Sequence, residues 1–382
     1  MPAMSIEQAA DEAAARGDFE RARAMLEEAV AAEETNQALW VKLSAMRKAS
    51  GDLEGALAAV DRSLALSPLD FSALLYRAML LDSLGDPAAG EEFGNALAQA
   101  PLEAEVPAQM LPAIAHARKR WEAHQQAFER RLLGAVPADL GSVARRKVER
   151  LASNASRRTR PYHQEPSNFH YPGLPEIEFH DRGAFPELAL VEQAADAIRA
   201  EFDALVASEA AEMVPYIQYP DRVPLRQWKE LNRSRDWTAI HLLQNGHRIE
   251  SNARHCPQTM AVLAQLPQPD VPGASPNAMF SLLAPRTRIP PHTGVANTRL
   301  VCHLPLIVPP NCGFRVGART REWRIGEAFV FDDTIEHEAW NESDQLRVVF
   351  IFDLWAPALS QAEREAVAAV IAASGPGAGE GL

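Results

Sequence analysis

The sequence predicts an α + β protein with two domains, an N-terminal all-α solenoid and a C-terminal jelly roll of antiparallel strands. The length of 382 residues exceeds the usual size of one domain, and the apolar content of 47% is ordinary for a globular protein. Residues 1–101 repeat a helical pattern, whereas short apolar runs broken by turn residues follow Trp237. This change of pattern indicates that helices and strands belong to separate domains.

A Gly-Asp pair marks the period of the N-terminal repeats. It begins at Gly17, Gly51 and Gly85, so the spacing is 34 residues each time. That is the period of tetratricopeptide repeats, in which each helical hairpin buries its apolar face against its neighbours. Further positions also match a pattern that resembles the tetratricopeptide repeat: Trp40, Ala56 and Pro68. We therefore predict a tetratricopeptide-like solenoid over residues 1–101.

Two roles are open for this solenoid. Its concave face is of the kind that usually binds a peptide or a protein. The alternative is that the repeats only support the second domain. Gly90 and Gly94 stand where the repeat pattern expects small or larger apolar side chains. Because glycine disfavours helix, we expect the second helix of the third unit to be weak.

Residues 102–165 are predicted to form a helical linker and a proline-rich arm. The helical pattern continues to about Ser156 and becomes basic near its end. In an acidic protein such a basic face is typical of a solvated helix, and an anion-binding patch is the alternative. The run Arg160–Pro175 has four prolines and no helical period, so it marks the boundary to the next domain. We expect it to lie over that domain as an extended arm.

The chain is acidic. Its net charge of −13 and isoelectric point near 5.4 argue against nucleic acid or an anionic membrane as the main partner. The N-terminal residues lack the basic and apolar regions of a secretory leader, and no apolar run reaches the length of about 18 residues that a membrane span needs. The three cysteines are too few and too scattered for a disulfide framework or a closed zinc site. We therefore expect a cytoplasmic protein.

Strand-like runs begin after one amphipathic helix, which is predicted from Leu188 to Val206. Turn residues separate six apolar runs, of which the last ends at Trp355. Short strands with regular breaks and no helices between them favour an antiparallel sandwich or barrel, here a jelly roll. We predict that this β domain spans residues 166–360 and that residues 361–382 form a C-terminal helix and a flexible tail.

Two histidines of the β domain form half of a candidate metal site. His292 and His337 lie on strand-like segments, and Arg347 follows the second histidine on another such run. Imidazoles suit a redox metal with open positions, and a guanidinium suits a dicarboxylate beside it. A cation that points into the barrel also needs an anionic partner, because an unpaired buried charge is costly. This combination is typical of an iron- and 2-oxoglutarate-dependent oxygenase.

Six motifs carry a more specific signal between Tyr171 and Pro357. They are Y-P-G-L-P from Tyr171, I-P-P-H-T-G from Ile289, N-T-R-L from Asn297, H-L-P-L from His303, F-D-D-T-I-E-H-E-A-W from Phe331 and D-L-W-A-P from Asp353. Through these motifs the chain resembles the aspartyl/asparaginyl beta-hydroxylase family over roughly half its length. The resemblance implies a double-stranded β-helix and hydroxylation with Fe(II), O2 and 2-oxoglutarate.

The resemblance also implies roles for individual residues. His292 and His337 would be the iron ligands. Arg347 with Ser281 would hold the distal carboxylate of 2-oxoglutarate, and His303 would contact the end that chelates iron. Arg299, from the same motif region, is counted with the cosubstrate residues. The chain departs from the family's animal members at Val301, where they carry an arginine.

The third metal ligand of most non-haem iron oxygenases is missing. That ligand is a carboxylate two residues after the first histidine, a position occupied here by Gly294. The resembling family also lacks it, so we interpret Gly294 as a family feature. Asp332 and Asp333 are the nearest substitutes, although they are more consistent with a turn or with orienting a histidine.

Three functions remain possible at this point. The first is a hydroxylase whose substrate is the beta carbon of an aspartyl or asparaginyl residue, or of a related small acid or amide, with the repeats docking a peptide or protein. The second is a catalytically silent tetratricopeptide scaffold. Lipid hydroxylation, the third, occurs among relatives, but no membrane segment or interfacial helix is evident.

Overall fold

The computed structural model describes residues 5–102, 106–220, 222 and 226–375. Parts of the predicted linker (residues 103–105) and most of the predicted C-terminal tail (residues 376–382) lie outside the described residues. The chain divides into two compact units, Met1–Arg160 and Pro161–Leu382. Within the described ranges, every helix is too short or too polar to span a lipid bilayer.

The first unit is built from helical hairpins. Its helices are α1 (Ile6–Ala15), α2 (Phe19–Ala32), α3 (Gln37–Ala49), α4 (Leu53–Leu66), α5 (Phe71–Leu84), α6 (Ala89–Leu97), α7 (Leu111–Gly134) and α8 (Ser142–Ala155). Helices α1 and α2, α3 and α4, and α5 and α6 pack as pairs, and each pair packs on the next. The predicted tetratricopeptide-like repeats are thus confirmed.

The first two Gly-Asp pairs end one helix and begin another. Gly17 and Gly51 adopt the left-handed conformation, with φ of 78° and 88°, which glycine tolerates without strain. The aspartates that follow are N-caps: the Asp18 side chain accepts from Arg21 N, and that of Asp52 accepts from Gly55 N. Each cap satisfies a backbone donor that would otherwise lack a partner at the helix start. The period of 34 residues therefore reflects a turn that every hairpin needs.

The glycines of the third hairpin permit close packing between α6 and α7. Helix α6 forms, but it has 9 residues where α2 and α4 have 14 each. A Cβ added at Gly90 would lie 2.5 Å from His124 Nδ1, and one at Gly94 would lie 2.7 Å from Trp121 Cε3. These glycines therefore bring the backbone of α6 against the side chains of α7, a contact that the repeat pattern does not indicate.

The second unit combines short helices with antiparallel strands. Its helices are α9 (Leu188–Gln193), α10 (Ala195–Ala207), α11 (Glu250–Ala253), α12 (Pro257–Leu263) and α13 (Gln361–Ala373). Its strands are β1 (Val214–Pro215), β2 (Trp237–Gln244), β3 (His247–Arg248), β4 (Ala278–Leu283), β5 (Thr287–His292), β6 (Arg299–Ile307), β7 (Cys312–Val316), β8 (Arg319–Arg321), β9 (Phe329–Phe331), β10 (His337–Asn341) and β11 (Arg347–Trp355). The single helix predicted from Leu188 to Val206 is wrong, because the chain leaves helical geometry at Ala194 between α9 and α10.

The strands form two antiparallel sheets, as predicted for the C-terminal domain. The larger sheet has the order β1-β2-β4-β11-β6-β9, with β3 also paired to β2, and the smaller has the order β5-β10-β7-β8. Helices α9, α10 and α12 contribute to an apolar core with one face of the larger sheet, which includes Phe202, Phe280 and Phe350. The opposite face packs on the smaller sheet through a second core, which includes Met279, Phe314 and Val349.

Both faces of the central strands are therefore covered. Along β11, Val348, Phe350 and Phe352 belong to the core on the helix side, whereas Val349 and Ile351 belong to the core between the sheets. Successive side chains of a strand point to opposite faces, and burial of both faces explains the continuous apolar run. A polar side chain on the second face, where the smaller sheet covers it, lies between the two sheets.

Gly94→Ala should lower the free energy of unfolding by about 1–3 kcal/mol, because overpacking against Trp121 outweighs the helix propensity that alanine adds. Urea unfolding followed by circular dichroism measures this. The matched control is Gly134→Ala at the end of α7, where an added Cβ meets nothing within 4 Å. The control substitution should raise the free energy of unfolding by up to about 1 kcal/mol, because alanine favours helix more than glycine does. If both substitutions stabilised the protein equally, the close contact would be disproved.

Candidate active site

The predicted site residues converge on the space between the two sheets. Arg347 begins β11, and its side chain is on the same face of the strand as that of Val349, which packs between the sheets. For the same reason, Ser281 shares a face of β4 with Met279, and His303 shares a face of β6 with Val301. The smaller sheet contributes His292 from the end of β5 and His337 from the start of β10. All five side chains come from different strands.

His292 and His337 form a close pair. The two residues are partners in the antiparallel register of β5 and β10, and their ring centroids lie 4.0 Å apart. His337 is buried and His292 is partly buried. Among the described residues, no group of three or more His, Cys, Asp or Glu side chains is arranged to hold a metal ion. The pair therefore has no third protein ligand of these types beside it in that part of the chain.

Backbone carbonyls orient both imidazoles. The Nδ1 atom of His292 lies 2.8 Å from Pro290 O, and that of His337 lies 3.2 Å from Ile335 O. Burial, and then the neighbouring His337, lower the pKa of His292 to about 3, and burial lowers the pKa of His337 to about 4. The rings are therefore neutral near pH 7. A neutral ring that donates from Nδ1 keeps a lone pair on Nε2, which is the form that binds metal.

Asp333 occupies the space beside Gly294. A Cβ built at Gly294 would lie 2.0 Å from Asp333 Oδ2, and Gly294 N donates to Asp333 O at 2.7 Å. Arg299 Nη1 lies 3.2 Å from the same Oδ2, and both side chains are buried. Burial raises the pKa of the Asp333 carboxyl, and Arg299 opposes that shift. The carboxylate thus fills the volume that a side chain at the missing ligand position would need.

Asp332 is held in a turn, as the sequence indicated. Its Oδ1 accepts from Thr334 N and Oγ1, at 3.0 and 2.6 Å, and its Oδ2 accepts from Gln164 Nε2 at 2.5 Å. Both carboxylate oxygens are therefore engaged by donors. Burial raises the pKa of this carboxyl to about 6.

The extended arm ties together the segments that carry the two histidines. Ser167 N donates to Gly294 O at 2.9 Å, two residues after His292, and Glu165 N donates to Thr334 O at 2.8 Å, three residues before His337. The Gln164 side chain joins the same two segments, because it donates to Asp332 and accepts from Asn297 Nδ2 at 2.9 Å. The sequence predicted an arm over this domain, but no motif pointed to Gln164.

Arg347 is a buried cation without a carboxylate partner. It is 2% exposed, and no Asp or Glu oxygen of the described residues lies within 4.0 Å of it. Its Nη1 lies 3.4 Å from both O and Oγ of Ser281, its Nε has no hydrogen-bond partner, and its guanidinium lies 5.0 Å from the Trp323 ring. Burial lowers the pKa of Arg347 to about 10. The side chain remains charged near pH 7 and is poised to receive an anion.

Aromatic side chains enclose the site. Trp323 Nε1 lies 3.3 Å from His303 Nδ1, and burial lowers the pKa of His303 well below its usual value. Trp237 Nε1 donates to Ser281 Oγ at 3.1 Å. Trp228 contacts His292 with ring centroids 5.0 Å apart. Sequence reasoning missed these tryptophans, because an isolated Trp is more often a core residue and its spacing carries no motif.

The structure thus gathers five of the predicted site residues around one space, and the sixth, Arg299, lies close enough to His337 for its charge to add to the burial that lowers the pKa of that imidazole. Arg299 lies opposite Trp355 in the register of β6 and β11, whereas Arg347 pairs with Leu283 at the other end of β11. Arg299 Nη1 forms an ion pair with Asp333 Oδ2 at 3.2 Å, but neither Nη1 nor Nη2 has a hydrogen-bond partner among the described residues. Contact of Arg299 with a cosubstrate stays a prediction.

Comparisons with known proteins bear on this domain. A family model described as Aspartyl/Asparaginyl beta-hydroxylase matches residues 192–357. Aspartate beta-hydroxylase domain-containing protein 2 of Xenopus tropicalis is 33% identical over 218 residues, which cover 56% of this chain and 56% of that protein. Ornithine lipid ester-linked acyl 2-hydroxylase of Rhizobium tropici is 34% identical over 201 residues, which cover 52% of this chain and 67% of that protein. The chain thus spans little more than half the length of the frog protein.

A solved structure resembles another part of the chain. The type III secretion chaperone SycD of Yersinia enterocolitica, in complex with a peptide of the translocator YopD, is 15% identical. The match covers 32% of this chain and 91% of that chain, with a TM-score of 0.29.

Gly294→Ala should destabilise the protein by about 1–3 kcal/mol, because the new Cβ overlaps the Asp333 carboxylate. Asp333→Ala should also destabilise it, since Arg299 loses its partner. The double variant removes the overlap. Its loss of free energy of unfolding should therefore be smaller than the sum of the two single losses by about 1 kcal/mol or more. Thermal unfolding of the three variants gives this coupling. Strict additivity would mean that Asp333 does not fill the space at Gly294.

Proposed function

Because the chain belongs to the aspartyl/asparaginyl beta-hydroxylase family, we propose that it is an Fe(II)- and 2-oxoglutarate-dependent dioxygenase that uses O2 to hydroxylate an unactivated carbon. We further propose that its two sheets form the double-stranded β-helix, or jelly roll, of such enzymes. The observation that carries this proposal is a buried Arg347 that has no carboxylate partner among the described residues and lies in the same space as a pair of neutral histidines.

The histidine pair suits Fe(II). His292 and His337 are neutral near pH 7, and each ring is oriented by a carbonyl at Nδ1, which leaves Nε2 as a ligand atom. When bound, Fe(II) with 2-oxoglutarate and O2 supplies the oxidation that places a hydroxyl on the substrate carbon and releases succinate and CO2. Two protein ligands leave more positions for cosubstrate and water than three would.

Arg347 and Ser281 would hold the distal carboxylate of 2-oxoglutarate. The planar guanidinium matches a carboxylate, and its Nε already lacks a partner. Trp237 donates to Ser281 Oγ, so the hydroxyl proton of Ser281 remains available to an incoming oxygen. The Trp323 ring beside Arg347 limits the approach of water and strengthens the contact.

His303 would contact the end of the cosubstrate that chelates the metal. Its position opposite Ile351 in the register of β6 and β11 directs it between the sheets. Val301, two residues earlier, is buried in the same core, where the animal members carry an arginine. Contacts to that end of the cosubstrate would therefore depend on a neutral His303 and carry less charge than in those relatives.

The proposed substrate is the beta carbon of an aspartyl or asparaginyl residue, or of a related small acid. The frog relative is named for an aspartate beta-hydroxylase domain, whereas the Rhizobium relative is named for acyl hydroxylation of a lipid. The helical repeats support a peptide or protein as substrate, because stacked hairpins present a continuous face. Contacts link the first helices of neighbouring hairpins. Lys48 of α3 lies 5.2 Å from the Tyr76 ring of α5, and Lys42 of α3 pairs with Glu7 and Asp11 of α1.

His292→Ala or His337→Ala should abolish 2-oxoglutarate turnover while the fold persists, because each removes one of two proposed metal ligands. Succinate formation and anaerobic Fe(II) titration, with and without 2-oxoglutarate, measure the two effects. His247→Ala, an exposed histidine on β3, is the control and should behave as the parent protein. Succinate formed at the parent rate in either ligand variant would overturn the metal assignment. A parent protein that bound no Fe(II) would favour a silent scaffold.

Arg347→Lys should weaken 2-oxoglutarate binding by about 1–3 kcal/mol, because an ammonium cannot make the two-pronged contact of a guanidinium. Isothermal titration of the Fe(II)-loaded protein under anaerobic conditions gives the affinity. Arg288→Lys, an exposed arginine on β5, serves as the control. Unchanged affinity in Arg347→Lys would place the residue outside the cosubstrate pocket.

Removing the helical repeats should show whether they bind a protein substrate for the reaction in the second unit. A variant that keeps residues 161–382, the second compact unit, should retain Fe(II) and 2-oxoglutarate binding and slow succinate formation without substrate. Hydroxylation of a protein substrate should fall, because binding on a remote surface helps to hold the reacting carbon in place. Circular dichroism must first establish that the shortened chain folds. Equal hydroxylation by the full and shortened chains would favour a supporting role for the repeats.

A further inference from the structure

A second cavity lies in the C-terminal unit, apart from the histidine pair. It has a volume of about 410 Å³, and none of the predicted site residues lines it. Phe329 and Val330 of β9 and Arg321 of β8 contribute to its wall, so it lies where the edges of the two sheets come together. Phe185 and Leu188 add an apolar surface from the segment that leads into α9. A cavity of this size can hold a small organic molecule.

Arg321 lines this cavity without a close ion pair among the described residues. Two carboxylates line the wall, but both are engaged: Glu192 pairs with Arg182 and accepts from Ala328 N, and Glu327 lies 3.7 Å from Arg324. Arg321 has no carboxylate within 4.0 Å among the described residues. Its guanidinium lies instead 4.4 Å from the Phe329 ring centroid and is partly buried. A cation placed over an aromatic ring in this way can still receive an anion at its free edge.

Other charges around Arg321 do not cancel its charge. Arg319 and Arg324 lie near it and oppose its charged form, and Glu327 is the carboxylate that favours it. Arg319 is exposed and lies 5.4 Å from the Phe179 ring. Glu327 is shared with Arg324 and forms no close ion pair with Arg321. The Arg321 guanidinium therefore remains available to an anionic occupant.

His180 adds a second polar group to the cavity. Its backbone N donates to Val330 O at 3.0 Å, which ties it to β9, and its ring packs against Phe185 with centroids 5.9 Å apart. The Nε2 atom is buried and has no hydrogen-bond partner. Burial lowers the pKa of His180 to about 4, so the ring is neutral near pH 7. A buried ring nitrogen without a partner is costly unless a ligand satisfies it.

We propose that this cavity is a second ligand site, which takes a small organic anion. Arg321 and His180 hold its carboxylate or phosphate group, and Phe185, Leu188 and Phe329 cover its apolar part. The arrangement matches the general form of a ligand site, in which an apolar surface supplies affinity and a few polar groups set orientation. The site is independent of the proposed dioxygenase chemistry, because it shares no residue with the histidine pair or Arg347.

Titration calorimetry of the full chain without metal tests this proposal, with benzoate and phenyl phosphate as anionic probes and benzyl alcohol as the neutral probe. At least one anion should bind, and comparison of the two identifies the preferred group. Arg321→Met should weaken binding about tenfold or more, which corresponds to the loss of a charged hydrogen bond. The matched control Arg319→Met removes a charge from the same strand outside the cavity wall and should leave the affinity within about twofold, as expected for an exposed charge.

Arg347→Met identifies any probe that binds in the space between the sheets, and the binding that Arg321→Met weakens should persist in this variant. Thermal unfolding checks the fold of each variant, and Arg321→Gln replaces Arg321→Met if the latter unfolds. The proposal is overturned if neither anion binds, if benzyl alcohol binds as well as benzoate, or if binding survives in Arg321→Met and disappears in Arg347→Met.

Discussion

The antiparallel register of β5 and β10 is the constraint on which the rest of the candidate site depends. It sets His337 opposite His292, with ring centroids 4.0 Å apart, and β7 fixes β10 from its other side through the pairing of Val316 with His337. A slip of one residue would turn one imidazole to the opposite face of the sheet. The arm reinforces this register, because residues 164–169 bond to the segment after His292 and to the segment before His337.

Charge between the two sheets is distributed unevenly. Arg299 has a carboxylate at 3.2 Å, whereas Arg347 has none within 4.0 Å among the described residues and lies 3.4 Å from Ser281 Oγ and 5.0 Å from the Trp323 ring. Asp333 sits against Gly294, so a longer side chain cannot occupy the position that supplies a third ligand in most non-haem iron oxygenases. The fold thus pairs one buried cation with a carboxylate and leaves the other without an anionic partner among the described residues. Unpaired buried charge is costly, and such costs are tolerated mainly where function requires them.

In the helical repeats, short-range rules account for most of the structure. The glycine of each Gly-Asp pair adopts a left-handed conformation at the end of a helix, and in the first two pairs the aspartate caps the next one. The third pair differs, because Asp86 accepts from Ala88 N in a turn and α6 begins only at Ala89. Gly90 and Gly94 then serve the packing of α6 on α7, which overrides their low helix propensity.

The sequence by itself determined the order of the two units, the period of 34 residues, the antiparallel character of the second unit and the family, because each follows from local patterns or contiguous motifs. It missed the break at Ala194, the role of Gln164 and the contact of Asp333 with Gly294. Gln164 bonds to Asp332, 168 positions away. Only the tertiary structure decided these features, because they depend on which distant side chains share a volume, and periodicity carries no information about that.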